Sequence, residues 1–275
     1  MTVWQSGDLE VNGVRLHYTR TGGDKPQVVL VHGFSDDGLC WTPVAEVLEE
    51  DCDVIMVDAR GHGRSEGPKQ GYGPKDMAGD LAGVITGLRL SRPVVLGHSM
   101  GAATALMLAG TQPHLIRAIA LEDPPPWWAA SSAPESDAQR WAWMRARMIG
   151  RKRKTREELI VEQRAASPSW SEAELGPWAT AKLRFSFYAL DGVGPGAVDW
   201  QAILRRISCP ALLITADPAL EAIVSQEDAA VMKALVPQLR IAHIAEAGHN
   251  VRREQFVRYL DIVRTFLLQV TASAE

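Results

Sequence analysis

Cysteine is scarce in this sequence. Three thiols occur in 275 residues, Cys40, Cys52 and Cys209, an odd number with no two at the CxxC spacing of a redox or zinc site. A disulfide framework is therefore excluded, and reduced thiols fit a cytoplasmic protein. No apolar run approaches the ~20 residues needed to cross a bilayer. The start, Met1 to Asp8, has neither the basic opening nor the apolar core of a secretory signal, so secretion and membrane spanning are both disfavoured. Positive charge is not in excess either: 29 Lys and Arg stand against 33 Asp and Glu, a net charge of −4. That balance offers no footprint for a phosphate backbone, and nucleic acid is not an expected partner. No H-E-x-x-H or cluster of histidines and carboxylates points to a metal, and no cofactor is implied. Internal repeats, low-complexity tracts and flexible interdomain linkers are also missing.

What remains is the composition of an ordinary globular protein, 46% hydrophobic and 23% charged. The most basic stretch, Arg145 to Arg156, reads as the solvated face of a helix and its connection. Short β-branched runs at Val28–Val31, Val54–Val57, Val94–Leu96 and Ile116–Leu121 alternate with helical segments, the pattern of βαβ units and a mainly parallel sheet. Upstream, Asn12-Gly13 between Leu9–Val11 and Val14–Tyr18 predicts a hairpin with a two-residue turn. The parallel pattern resumes with Ala211–Thr215, a helix from Glu227 to Leu235, a strand over Leu239–Ile244 and a terminal helix from Arg253 to Leu268. Between them, 124–200 loses its strand signals and becomes helical, so 1–123 and 201–275 are expected to form an α/β core with helices on both sheet faces and 124–200 an inserted helical cap. Seven of the nine tryptophans fall in that insert: Trp127, Trp128, Trp141, Trp143, Trp170, Trp178 and Trp200. They either fill a small lid that has little other core or line an apolar substrate pocket.

The segment that carries chemistry is Val94-Val95-Leu96-Gly97-His98-Ser99-Met100-Gly101-Ala102-Ala103, an apolar strand running into G-x-S-x-G and then an Ala-rich helix. A serine on so tight a strand-to-helix turn is strained and crowded, and glycine is required where a Cβ would collide. The helix start behind it favours developing negative charge. His32-Gly33-Phe34 follows the first parallel strand, and Asp58-Ala59-Arg60-Gly61-His62-Gly63-Arg64-Ser65 follows the second. With these three motifs in this order, nearly the whole sequence resembles the α/β-hydrolases, in their esterase, lipase and haloperoxidase-like branch. The resemblance implies a mainly parallel α/β-hydrolase sheet with an inserted helical cap. It also implies an oxyanion hole made by the backbone N–H groups of Phe34 and Met100, and a structural role for the Asp58–Ser65 turn.

A serine hydroxyl needs a neighbouring base. Of seven histidines, His249 stands in a short loop, Glu246-Ala247-Gly248-His249-Asn250, after the final strand, where the resemblance puts the base. The triad's carboxylate stays open. Asp217 after Ala211–Thr215 is the first choice because it gives the chain order Ser, Asp, His; Asp123 at the end of the preceding strand is next, followed by Glu221 and Glu122. The expectation is an acyl-enzyme on Ser99, hydrolysing an apolar carboxylic ester or lactone of modest size, with N-acyl-homoserine lactone a specific case. A serine rather than an aspartate at the elbow argues against epoxide opening and dehalogenation. Two rival readings are a cofactor-free haloperoxidase acting through a peracid at the same serine, and a ligand receptor with a vestigial triad.

Overall fold

Side chains that alternate along each central strand separate into two buried sets, as a strand requires. Val29, Val31, Ile55, Val57 and Val95 face one side, and Val28, Leu30, Val54, Met56 and Leu96 the other. Burial on both faces is what makes these runs continuously apolar. In the computed structural model, which describes residues 4–129, 134–191 and 194–272 (backbone alone for 134–141 and 191), the runs become one eight-stranded sheet. The strands are β1 (Gln5–Val11), β2 (Val14–Arg20), β3 (Gln27–Val31), β4 (Asp53–Val57), β5 (Val94–His98), β6 (Ala118–Glu122), β7 (Ala211–Thr215) and β8 (Leu239–His243). Their order is β1-β2-β4-β3-β5-β6-β7-β8, with β1 and β2 antiparallel to their neighbours and β3 to β8 parallel. The expected hairpin closes on Asn12 and Gly13, both at positive φ (52° and 74°), the requirement of a type I′ turn.

Helices cover both faces. On one side lie α1 (Thr42–Leu48) and α10 (Phe256–Ala272), burying Val44, Leu48, Tyr259 and Val263. On the other are α2 (Pro74–Gly87), α3 (Met100–Thr111), α7 (Trp200–Arg205) and α8 (Gln226–Leu235), burying Leu81, Leu106, Leu204 and Met232. Between β6 and α7 the chain builds α4 (Pro134–Lys152), α5 (Arg156–Ala166) and α6 (Glu172–Arg184). Of these, α6 makes the main join to the core, packing on α1 and the 38–41 turn. Residues 130–133 and 192–193 of the expected cap, and the side chain of Trp141, lie outside the described residues. The expected single terminal helix is two, α9 (Val251–Glu254) and α10, broken at Gln255 (φ −132°, ψ 56°). The break lets Arg252 and Arg253 turn into the interior, both at 3% exposure or less, while α10 keeps its apolar stripe on the sheet.

All three cysteines are free and buried. Burial pushes the Cys52 and Cys209 thiols up to about 11, and raises Cys40 well above its ordinary value. Among the described residues no helix is long and apolar enough to cross a membrane.

The Asp58–Ser65 loop is held by backbone contacts and one buried ion pair. Asp58 accepts from Gly38 N and Arg64 N, each at 2.7 Å, and Arg60 forks onto Asp80 of α2 with Nε and Nη2 both at 2.6 Å. A lysine carries the charge but cannot make that fork. Arg60→Lys is therefore expected to lower unfolding free energy in urea by about 2 kcal/mol; an unchanged midpoint would mean that the fork contributes nothing.

Candidate active site

The parallel strands end on one edge, and the loops that leave it carry every candidate residue. Gly33 and Phe34 follow β3, Ser99 follows β5, Glu122 and Asp123 close β6, Asp217 follows β7 and His249 follows β8. Because β3 leads to β4 on one side and β5 lies on the other, the crevice between β3 and β5 is a topological switch point, where α/β sheets bind ligands.

Ser99 stands between β5 and α3 at φ 51°, ψ −114°, a conformation non-glycine residues seldom adopt. The packing around it leaves no alternative. A Cβ at Gly101 would collide with the Val31 carbonyl, and one at Gly97 with the Gly101 backbone. Ser99 N donates to the Glu122 carbonyl at 2.9 Å, and Ser99 O starts the helix by accepting from Ala103 N at 3.0 Å. Met100 N–H thus belongs to the first turn, whose N–H groups have no partner within the helix. Next to it, Gly33 to Asp36 form a tight turn closed by Asp36 N donating to Gly33 O at 3.1 Å, with Ser35 at φ 63°. The turn starts against the elbow: a Cβ at Gly33 would lie 2.6 Å from His98 Nδ1 and 3.4 Å from Ser99 Cβ.

His249 Nδ1 lies 2.7 Å from Asp123 Oδ2. Since a carboxylate only accepts, Nδ1 carries the proton and Nε2 is left as the basic nitrogen. Asp123 is fully buried, stands at φ 41°, and also accepts from the backbone N–H groups of Ile223 (2.9 Å) and Val224 (3.0 Å). The 221–225 loop therefore holds the carboxylate of Asp123 and supplies none itself; Glu221 is exposed. His98 ties the imidazole's loop to the elbow. Its Nε2–H donates to the His249 carbonyl at 2.9 Å, the two rings are 4.7 Å apart, and burial holds His98 well below the usual imidazole range, hence neutral. Among the described residues no hydrogen bond joins Ser99 Oγ to His249; contacts of this kind often tighten only with substrate bound.

The first-choice acid, Asp217, is not at His249. Its Oδ1 pairs with His243 Nε2 at 3.0 Å, its Oδ2 accepts from Glu246 N at 2.8 Å, and its N–H donates to Ala247 O at 2.8 Å. The reason is local: Asp217 braces the loop that carries His249 from outside, which leaves its carboxylate turned away from the ring. Glu122 is directed elsewhere too, accepting from Arg252 N (3.0 Å) and Nη1 (3.1 Å).

Sulfur and aromatic side chains dominate the apolar wall beside the elbow. Met100, Met77 and Tyr72 of the core cluster with Met148, Phe185 and Leu190 of the helical insertion, and Phe34 packs on the cluster. A narrow crevice runs from Met100 and Thr104 to Tyr72 and Trp127. Of the tryptophans whose side chains are described, Trp127 alone lines that crevice. Trp128 is buried in the core with Nε1 on the Asp228 carbonyl, and Trp200 packs on Trp127. Trp170 and Trp178 meet edge to face at 6.2 Å within the insertion, and Trp143 is exposed. Filling the insertion and its joins to the core accounts for most of the tryptophan excess.

Sequence reasoning missed a group of buried charges behind the turn at 33–36. Asp36 meets Lys182 of α6 at 2.5 Å and Arg253 at 3.0 Å; Arg253 also meets Glu174 of α6 at 2.9 Å. No periodicity or motif announces these partners, which come from three separate segments.

Comparison with known proteins agrees with this fold. The model of the alpha/beta hydrolase family matches residues 28–260. The chain is 28% identical to N-formylmaleamate deformylase of Pseudomonas putida over 256 residues, 89% of this chain and 90% of that protein. Among solved structures it resembles E-2-(acetamidomethylene)succinate hydrolase in fold, with a TM-score of 0.80, 22% identity and coverage of 96% of this chain and 99% of that one. The enol-lactonase of Burkholderia xenovorans aligns with a TM-score of 0.73 at 25% identity, covering 95% and 99% of the two chains.

Two outcomes follow from the site's geometry. The far-downfield proton resonance of a carboxylate-bound imidazole N–H is expected to vanish in Asp123→Asn and persist in Asp217→Asn; the reverse would break the assignment of His249's partner. The second concerns Asp37, whose carboxyl is pushed up to about 7 by burial and then by the charges of Asp58 and Asp36, against Arg184 and Lys182. The ordinary value of 3.8 applies to the unfolded chain, so the folded protein holds this proton more tightly. Its stabilisation is complete below pH 3.8 and is lost as pH rises to about 7. Asp37→Asn is expected to flatten the pH dependence of the urea midpoint across that window, and an unaltered profile would refute this.

Proposed function

The chain belongs to the alpha/beta hydrolase family, and on that premise we propose that it cleaves a carboxylic ester or lactone through an acyl-enzyme on Ser99. His249 Nε2 removes the hydroxyl proton as Oγ attacks the carbonyl carbon. Asp123, in place of Asp217, keeps the proton on Nδ1 and stabilises the imidazolium that forms. The backbone N–H groups of Phe34 and Met100 receive the oxyanion, where the start of α3 adds its dipole. The imidazolium returns the proton to the leaving alkoxide. Water, deprotonated by the same nitrogen, then releases the acid and restores the serine.

The single observation that carries this reading is the 2.7 Å His249–Asp123 contact, in a loop pinned by His98 to the elbow that exposes Ser99. Support for an apolar acyl group of modest size comes from the Met, Tyr and Phe wall and the narrow crevice beside Met100. In this reading 124–200 is the cap, closing over a core formed by 1–123 and 201–275. The likeness to an enol-lactonase supports lactones as substrates, and the likeness to a deformylase brings small N-formyl amides into the same acyl-transfer chemistry.

The test is a panel of p-nitrophenyl esters of rising chain length, lactones that include N-acyl-homoserine lactones, and N-formyl amides. Ser99→Ala is expected to abolish turnover, and Asp123→Asn to lower kcat by roughly 10³–10⁴-fold while Asp217→Asn keeps most of it. Preference for charged or very long substrates would overturn the pocket reading. Peroxide-dependent bromination above ester turnover would favour a haloperoxidase, and a single slow turnover a receptor.

A further inference from the structure

The turn that presents Phe34 N–H is not held by the core alone. Lys182, near the end of α6, reaches into it with all three of its ammonium donors placed: Ser35 O at 2.9 Å, Ser35 Oγ at 3.0 Å and Asp36 Oδ1 at 2.5 Å. Lys182, Ser35 and Asp36 are all at least nine-tenths buried. Ser35 sits at φ 63°, so the peptide between Phe34 and Ser35 is fixed in a conformation the backbone would not choose unaided. Three residues further on, Phe185 packs edge-on against the Phe34 ring with centroids 5.0 Å apart. The end of α6 thus grips both the backbone and the side chain of the turn. On its other oxygen Asp36 is held by Arg253, four residues past His249.

From this geometry we infer that Lys182 is a positioning residue for catalysis: from the helical insertion it fixes the 33–36 turn so that Phe34 N–H is aimed at the oxyanion. The inference rests on the acyl-transfer reading above. Lys182 touches no reacting atom; it acts by holding the carbonyl and hydroxyl of Ser35, the residue next to Phe34 in the turn. A preorganised donor contributes only if its direction is set before the charge develops, so loosening the turn weakens the transition state and leaves substrate binding nearly untouched. A lysine that merely fastened the insertion to the core would lower the folded fraction, and the remaining folded enzyme would turn over normally.

The experiment compares Lys182→Met and Lys182→Gln with wild type on the best ester of the panel, with activity scaled to folded enzyme. Lys182→Met is expected to lower kcat roughly 10- to 100-fold with KM changed less than about threefold, and to slow phosphonylation of Ser99 by a p-nitrophenyl phosphonate in proportion. Lys182→Gln, which keeps an N–H for the Ser35 carbonyl without the charge, is expected to recover much of the loss. Lys182→Ala, which removes the donor as Lys182→Met does, serves as the working variant if Lys182→Met does not fold. Unchanged kcat per folded molecule in whichever of Lys182→Met and Lys182→Ala folds, or a loss carried by KM alone, would overturn the positioning role. Activity that survives Ser99→Ala would instead overturn the acyl-transfer reading, so the two failures are told apart.

Discussion

The contact on which this architecture turns is the approach of the first turn of α3 to the end of β3, with Gly101 backbone against the Val31 carbonyl and nothing between them. No side chain fits there. The helix therefore starts directly over the sheet edge, Ser99 is thrown into a left-handed conformation, and the first N–H groups of α3 open toward the crevice between β3 and β5. The remaining site parts are arranged around that fixed point: the 33–36 turn abuts His98 and Ser99, and His98 in turn clasps the loop of His249.

Features of the molecule that depend on local rules were legible in the sequence. The Asn12-Gly13 turn, the strands that alternate between two buried faces, the elbow and the strand-end position of His249 each follow from a few adjacent residues. The partner of His249 did not, because β6 and β7 are neighbours and both Asp123 and Asp217 leave the same sheet edge. Which one meets the imidazole is decided by loop shape: Ile223 and Val224 turn their N–H groups onto Asp123, while Asp217 braces His243 and Glu246. Lys182 was invisible for a related reason. Its partners lie 146 and 147 residues away, and an ion pair at that separation has no period to read.

The buried charges behind the site join the same loops to one another. Glu122 accepts from Arg252, while its own carbonyl receives Ser99 N and its neighbour Asp123 holds His249. Arg252 and Arg253 both reach Asp36, and Arg253 goes on to Glu174 in the insertion. Such pairs cost desolvation and are weak contributors to net stability; what they supply is registry, since a charge buried without its partner is far worse than either arrangement that satisfies it. The break at Gln255 separates α9, which carries both guanidinium groups into the interior, from α10, which keeps its apolar stripe on the sheet.

The three thiols have a practical consequence. Cys40, Cys52 and Cys209 are sealed in the interior, with thiolate formation pushed far above neutral pH. An added surface cysteine on the helical insertion is then the site that a maleimide fluorophore or spin label finds on brief exposure. Distances between insertion and sheet become measurable in the native background, with no thiol first removed.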